Sequence, residues 1–177
     1  MKRKVILYMA ISLDGYITDK SNGSNWLGGE SEFYQGDYGR SGFLSIIDTI
    51  IMGAEAYKHL NNKISPNKWP YDDFKTYVMT HHNDEDKENI IFTEEKLPSL
   101  IKELQKEDGK NIWVYGGPDI AHQLIKENLI DEYHLTIMPI ILGNGKKLFE
   151  KSNKEIKLHL VKNTSKNGVI DCLYERI

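Results

Sequence analysis

The residues best placed to do chemistry form a short run, Gly116-Gly117-Pro118-Asp119, set between an apolar stretch and a helical pattern. Ahead of it, Ile112, Trp113, Val114 and Tyr115 make the aromatic-rich apolar segment of a buried strand. Behind it, Ile120, Ala121, Leu124 and Ile125 recur at helical spacing. Pro118 suits a first helical position, where its missing N–H costs nothing. Two glycines allow a sharp turn and a close approach of the backbone to a ligand. The free amides and positive dipole end of the helix then face whatever lies above the strand, and phosphate is their natural occupant. The chemistry this spacing suggests is binding of a nucleotide pyrophosphate. A plain tight βα turn has the same pattern. Neither G-x-G-x-x-G nor the Walker-type G-x-x-x-x-G-K-[ST] occurs in the chain.

Other residues with chemical potential are scattered. Asp14 lies in SLDGYI, residues 12–17, where Asp-Gly marks a turn or bulge. Thr18 to Glu30 is polar and glycine-rich around a lone Trp26, and a loop of that length is usually functional or disordered. Trp26 fits a lid over a ligand, or a pin holding the loop to the core. The acidic run Asp84-Glu85-Asp86 beside His81 and His82 matches no familiar ligand spacing and reads as a solvated loop, so no metal is expected. No Ser-His-Asp or Cys-His arrangement can be read. The single cysteine, Cys172, sits in an apolar strand pattern, which fits a buried inert thiol and a reducing compartment.

The elements that must position these residues follow from the apolar patterning. Val5 to Ile11 is too continuously apolar for a half-exposed strand and reads as central, covered on both faces. Ser31 to Ile47 is expected to be partly helical. Asp48 to Gly53 is a second buried strand leading into a helix over 54–60, and Lys63 to Pro70 is a surface connection. Phe74 to Thr80 and Ile90 to Phe92 read as strands on either side of a charged loop, His81 to Asn89. Leu97 to Lys106 is helical, and Tyr133 to Leu142 is a long strand interrupted by Pro139. Lys157 to Lys162 and Val169 to Ile177 close as a hairpin around Asn167-Gly168. Strands alternating with helices, then strands alone, predict an α/β fold. Its central sheet is mainly parallel, with antiparallel C-terminal strands and flanking helices.

At 177 residues with no composition break, one domain over 1–177 is expected. Net charge is −3 and no basic stripe appears, which argues against nucleic acid and anionic membranes as partners. Lys2, Arg3 and Lys4 before Val5 to Ile11 imitate a signal peptide, but Asp14 breaks the run and no small-residue cleavage site follows. A cytoplasmic location is expected.

Four segments carry a resemblance: VILYMAISLDGYI at 5–17, IIMGAEAY at 50–57, VYGGPDIAHQLI at 114–125 and DEYHLTIMPIILGNGKKLFE at 131–150. In this order they resemble the dihydrofolate reductase-like superfamily, in the branch related to the C-terminal reductase domain of the bacterial riboflavin-biosynthesis protein. The resemblance implies an NADPH-dependent reductase. It implies that Ala10 and Ile17 hold the nicotinamide, and that Gly53 and Ala54 stand where backbone amides meet cofactor phosphates. Thr80 and His81 match the position that binds the adenosine ribose and its 2′-phosphate. Tyr115, Gly116, Gly117, Pro118, Asp119 and Ile120 would form the pyrophosphate site.

The chain departs from the family pattern, with Ala54 in place of an arginine and Ala56 in place of a threonine. A lost arginine removes a bidentate contact, so His81 or a lysine would have to select NADPH over NADH. The proton-donating carboxylate of true dihydrofolate reductases has no secure counterpart among Glu30, Glu32 and Asp37. Asp14 and Glu32 are the candidates for holding a catalytic water or orienting the substrate, with Trp26 closing over it. The resemblance thus implies hydride transfer to C=N or C=O in a small heterocyclic or ribosylaminopyrimidine-like substrate. Two other readings stay open: a nucleotide-binding sensor or structural module without catalysis, and a true dihydrofolate reductase. Related domains are often homodimers, and PIILGNG, residues 139–145, would offer an edge or interface.

Overall fold

A computed structural model describes residues 2–82, 84–150 and 155–177. Asn83, inside the charged loop expected over 81–89, lies outside the described residues. The strands are β1 (Val5–Ser12), β2 (Tyr16–Thr18), β3 (Ile47–Gly53), β4 (Lys75–Met79), β5 (Ile90–Thr93), β6 (Asn111–Gly116), β7 (Glu132–Met138), β8 (Lys146–Lys147), β9 (Leu158–Lys166) and β10 (Val169–Arg176). The helices are α1 (Arg40–Leu44), α2 (Ala54–His59), α3 (Leu97–Leu104) and α4 (Pro118–Lys126). A wider turn over Leu60–Ile64 continues α2.

Eight strands form one sheet in the order β5-β4-β3-β6-β1-β7-β10-β9. The five pairings from β5 to β7 run parallel, and β10 and β9 close the sheet antiparallel. The mainly parallel sheet with antiparallel C-terminal strands agrees with the patterning. β2 and β8 form a separate small ribbon. Because β6 inserts between β1 and β3, the strand order reverses there, and ligands in open α/β sheets bind in the crevice beyond such a point.

The core has two layers, one on each face. Val5 and Leu7 pack with α3 and α4 residues such as Ile101, Leu104, Ala121 and Leu124. Ile6, Ile50, Met52 and Trp113 face the other way, toward Phe43 of α1 and Tyr57 of α2. This accounts for continuous apolar runs in the central strands, since each residue of either parity meets a covered face. Burying each such side chain contributes roughly 1.5–3 kcal/mol.

Three expectations need correction. Only Arg40–Leu44 of the segment 31–47 is helical, and Gly36, Gly39 and Gly42 explain the shortfall. The strand expected over 133–142 stops at Met138, because Pro139 has no N–H to extend a ladder. The segment after it, PIILGNG, is therefore no strand edge, although Ile141 is left exposed. Arg3 differs from the exposed Lys2 and Lys4 on either side of it. It is buried, donates to the carbonyls of Lys110 at 2.6 Å and Leu104 at 3.2 Å, and pairs with Asp48. It bolts β1 to β3 and β6 at the end of the sheet opposite the C-terminal strand ends.

The C-terminal hairpin also reaches across the molecule. Its turn residue Asn167, at φ +53°, accepts the Glu30 N–H at its carbonyl and the Ser31 N–H at Oδ1, and donates Nδ2–H to Tyr38 Oη at 2.9 Å.

Candidate active site

At the C-terminal ends of β1, β3 and β6 lies a cleft of about 520 Å³. Its backbone end is built where β6 runs into α4. Gly116 takes φ +140°, and a Cβ there would stand 3.4 Å from Met9 Cε. Gly117 caps α4 and would meet nothing within 4 Å, so the turn is open on the ligand side. Gly53 caps α2 in extended conformation, and Ile120 packs over it at 3.5 Å from where a Cβ would stand. Neither helix has a side-chain cap, so the first-turn amides of both remain free for an anion.

The other end of the cleft is made of side chains from distant parts of the chain. Tyr8, Tyr71, Trp113 and Tyr115 form an aromatic wall. Trp113 packs edge-on to Tyr71 at 5.3 Å and tilted against Tyr115 at 4.9 Å. Arg40 donates Nη2–H to Tyr71 Oη at 2.5 Å. Burial pushes the phenols of Tyr8, Tyr71 and Tyr115 up, so all three keep their protons at neutral pH.

The acids behave differently. Asp37 accepts the N–H groups of Gly39 and Ser41, both at 2.9 Å, at the start of α1. Hydrogen bonds from Ser41 and Gly39 bring its carboxyl down to about 2. Asp14 accepts Ser12 Oγ–H at 2.6 Å and the N–H groups of Leu142 and Gly143 at 3.1 and 2.8 Å. Its carboxyl is likewise brought down to about 2, first by Ser12. Both are ionised acceptors at neutral pH, committed to holding turns, and neither carries a proton to give.

Of the residues singled out in the sequence, Ala10, Ile17, Tyr115, Gly116, Gly117 and Pro118 line this cleft together. Gly53, Ala54, Asp119 and Ile120 lie at the helix starts that flank it. Trp26 is turned into its own loop, donating Nε1–H to Gly23 O, and its neighbour Leu27 lines the cleft instead. Thr80 is buried with its hydroxyl accepting the His82 N–H, while His81 and Glu32 are exposed; none of the three lines the cleft. Asp14 stands under the turn beside it. Sequence reasoning missed Tyr8, Arg40, Tyr71, Thr136 and Lys146, which all line the cleft. For Lys146 a signal existed: the GNGKK run puts two lysines just after a glycine turn. Lys146 and Lys147 border an adjoining hollow of about 450 Å³ shared with Pro118, Asp119 and His122 at the start of α4.

Among the described residues no cluster of His, Cys, Asp and Glu could hold a metal ion, and no helix is long and apolar enough to cross a membrane. Cys172 is buried with its thiol pushed up by burial, as an unreactive cysteine should be.

The family described as the RibD C-terminal domain matches residues 3–170. The chain belongs to this family. Its fold is accordingly dihydrofolate reductase-like, and the family supports a reductase-like role. The chain is 38% identical over 162 residues to the uncharacterized protein YwjB of Bacillus subtilis, covering 90% of each. It is 31% identical to the uncharacterized protein YyaP of the same organism, covering 98% of this chain and 95% of that one. A solved structure from Shewanella sp. PV-4, named for riboflavin biosynthesis, superposes with a TM-score of 0.85 at 26% identity. That match covers 100% of this chain and 99% of the other. A bifunctional deaminase and 5-amino-6-(5-phosphoribosylamino)uracil reductase from Thermotoga maritima matches over 57% of its own length with a TM-score of 0.73. At 14% identity that likeness shows the fold alone.

Proposed function

We propose that the protein is an NADPH-dependent reductase. It would transfer a hydride to C=N or C=O in a small heterocyclic acceptor resembling a ribosylaminopyrimidine. The observation that carries this reading is the pairing, in one cleft, of two uncapped helix starts with an aromatic wall. The cleft fits a dinucleotide: Gly53, Ala54 and Tyr115 to Ile120 would hold its pyrophosphate, and Ala10 and Ile17 its nicotinamide. Thr80 and His81 lie outside the cleft and would meet only an adenosine ribose and 2′-phosphate that extend beyond it. Lys146, beside the α4 start, supplies positive charge that Ala54 lacks. When bound, the cofactor supplies the hydride. The chain itself binds and orients, and its aromatic wall stacks a planar acceptor while excluding water. Asp14 enters this reading by fixing the turn that carries Ile17, whereas Trp26 and Glu32, outside the lining of the cleft, take no part in it.

The ionised state of Asp37 and Asp14 speaks against a true dihydrofolate reductase with a carboxylic acid as proton donor. The missing arginine at Ala54 is the observation that favours the second reading, a nucleotide-binding sensor without catalysis. A cytoplasmic, single-domain homodimer is part of the proposal. Calorimetric titration with NADPH and then NADH tests it: tight binding that prefers NADPH is expected. Binding of neither would sink the reductase reading, and binding with no turnover of any pteridine, pyrimidine or small carbonyl acceptor would favour the sensor.

A further inference from the structure

We infer that Asn167, at the turn of the C-terminal hairpin, is a positioning residue for the acceptor end of the cleft. It holds the segment from Glu30 to Tyr38 so that Asp37, Tyr38 and Arg40 form part of the acceptor wall. This rests on the reductase reading, and it makes a hairpin turn that does not line the cleft part of the site.

The seam between hairpin and segment is built from both sides. β9 and β10 are joined by Asn167-Gly168 alone, at φ +53° and +72°, the two left-handed residues of a tight hairpin turn. Across from them, a Cβ on Gly29 would stand 2.3 Å from the Asn167 carbonyl oxygen. A Cβ on Gly168 would stand 2.6 Å from Glu30 Cγ. A glycine on each side lets the two backbones come this close.

The contacts across the seam leave the Asn167 amide one orientation. The Ser31 N–H can only donate, so Oδ1 takes it, at 2.8 Å. Nδ2 then donates to Ser31 O at 3.2 Å and to Tyr38 Oη at 2.9 Å, while the Asn167 carbonyl takes the Glu30 N–H at 3.0 Å. Both amide hydrogens and Oδ1 are thereby used on the segment, and Asn167 itself does not line the cleft.

What the clasp holds is a strained approach to α1. Tyr38 and Gly39 follow one another at φ +50° and +83°, and a residue as bulky as Tyr38 is uncommon in the left-handed region. Such a conformation persists where its surroundings enforce it. The bond from Asn167 fixes the tip of Tyr38, whose ring lies 4.8 Å from that of Tyr34. Asp37 holds the N–H groups of Gly39 and Ser41, and its carbonyl takes the Arg40 N–H at 3.1 Å. The guanidinium that reaches Tyr71 therefore starts from this same turn. Asp37, Tyr38 and Arg40 all line the cleft, so releasing Asn167 disturbs three side chains of the acceptor end. Among the described residues, the glycine turns at Gly53 and Gly116-Gly117 have no bond to the hairpin turn.

Two variants approach the seam from opposite sides. Asn167→Gly keeps the left-handed turn and deletes the side-chain bonds, whereas Gly29→Ala keeps Asn167 and drives a Cβ into its carbonyl. In the apo protein, hydrogen exchange followed by NMR should show the Ser31 amide exchanging at least about tenfold faster in Asn167→Gly. No ligand enters that arm. With NADPH, both variants should raise the KM for 7,8-dihydropterin or 4-nitrobenzaldehyde about ten- to a hundredfold. Their kcat should change less than about threefold, the split expected when acceptor binding alone is lost. Calorimetric affinity for NADPH should match the wild type. An unchanged Ser31 amide overturns the clasp. Faster exchange with an unchanged acceptor KM makes Asn167 a purely structural residue and overturns the assignment, as does an equal loss of NADPH affinity. Those outcomes leave the reductase reading standing. A wild type that binds no NADPH, or that reduces neither acceptor, overturns the reductase reading itself and the acceptor role of Asn167 with it.

Discussion

The two ends of the cleft are made of different material. One is backbone: Gly53 and Gly117 at helix starts, with Gly116 in a conformation that a side chain rarely adopts. The other is side chain: Tyr8, Arg40, Tyr71, Trp113 and Thr136, drawn from five segments. A backbone surface offers the same amides whatever the neighbouring residues are, so it suits a ligand group shared by many enzymes. A side-chain surface changes with each substitution, so it suits the partner that differs between them. On the reading proposed here, the glycine end takes the cofactor and the aromatic end takes the acceptor.

Substitutions can break this division. Gly116→Val should have the largest effect, because it forces a β-branched residue to φ +140° and drives it toward Met9. Calorimetry should show NADPH affinity falling at least about a hundredfold, and the melting temperature should drop with about 1–3 kcal/mol of strain. Arg40→Gln should act only at the other end. It removes a charged donor from Tyr71, and a charge-assisted hydrogen bond contributes about 1.5–3 kcal/mol. Acceptor KM should rise roughly ten- to a hundredfold by the same reckoning, with NADPH affinity unchanged. If both ligands weaken together, the two ends are not separate. Lys146→Gln should weaken NADPH by about two- to fivefold, more at low salt, as expected for an exposed charge pair.

The smallest effect is one of pH. The Asp14 carboxyl sits at about 2 in the folded chain against an ordinary 3.8. A depressed folded value means that its contribution is present above the ordinary value and is lost as pH falls through about 2. Urea midpoints of the wild type should therefore fall between pH 4 and 2 more steeply than those of Asp14→Asn. Parallel curves would show that the Ser12, Leu142 and Gly143 bonds add nothing to folding.

The contrast between the two ends also explains what the sequence disclosed. The backbone end is a local matter: strand, Gly-Gly, Pro and helix follow one another within fifteen residues, and period and turn chemistry suffice to read them. The sheet was legible for the same reason, through unbroken apolar runs such as Val5 to Ile11. The side-chain end was not. Arg40 and Tyr71 meet across 31 positions, and Thr136 and Asp171 across 35, with no spacing rule to join them. Asp14 was legible as a polar residue at a turn, but its three-way bonding to Ser12, Leu142 and Gly143 depends on a loop 128 positions later. The burial of Arg3 leaves no local trace for a similar reason: its partners lie on β3 and around α3 and β6.

The Asn167 turn has a consequence for the order in which the protein is made. β1, β3, β6 and α4 all lie before Glu127, so a growing chain has both uncapped helix starts available once α4 has emerged. The segment bearing Asp37 and Tyr38 must wait for Asn167, about 130 residues later, before it is clasped in place. Synthesis therefore delivers a half-site first, and the ribosome must release nearly the last strand before the acceptor end acquires its shape.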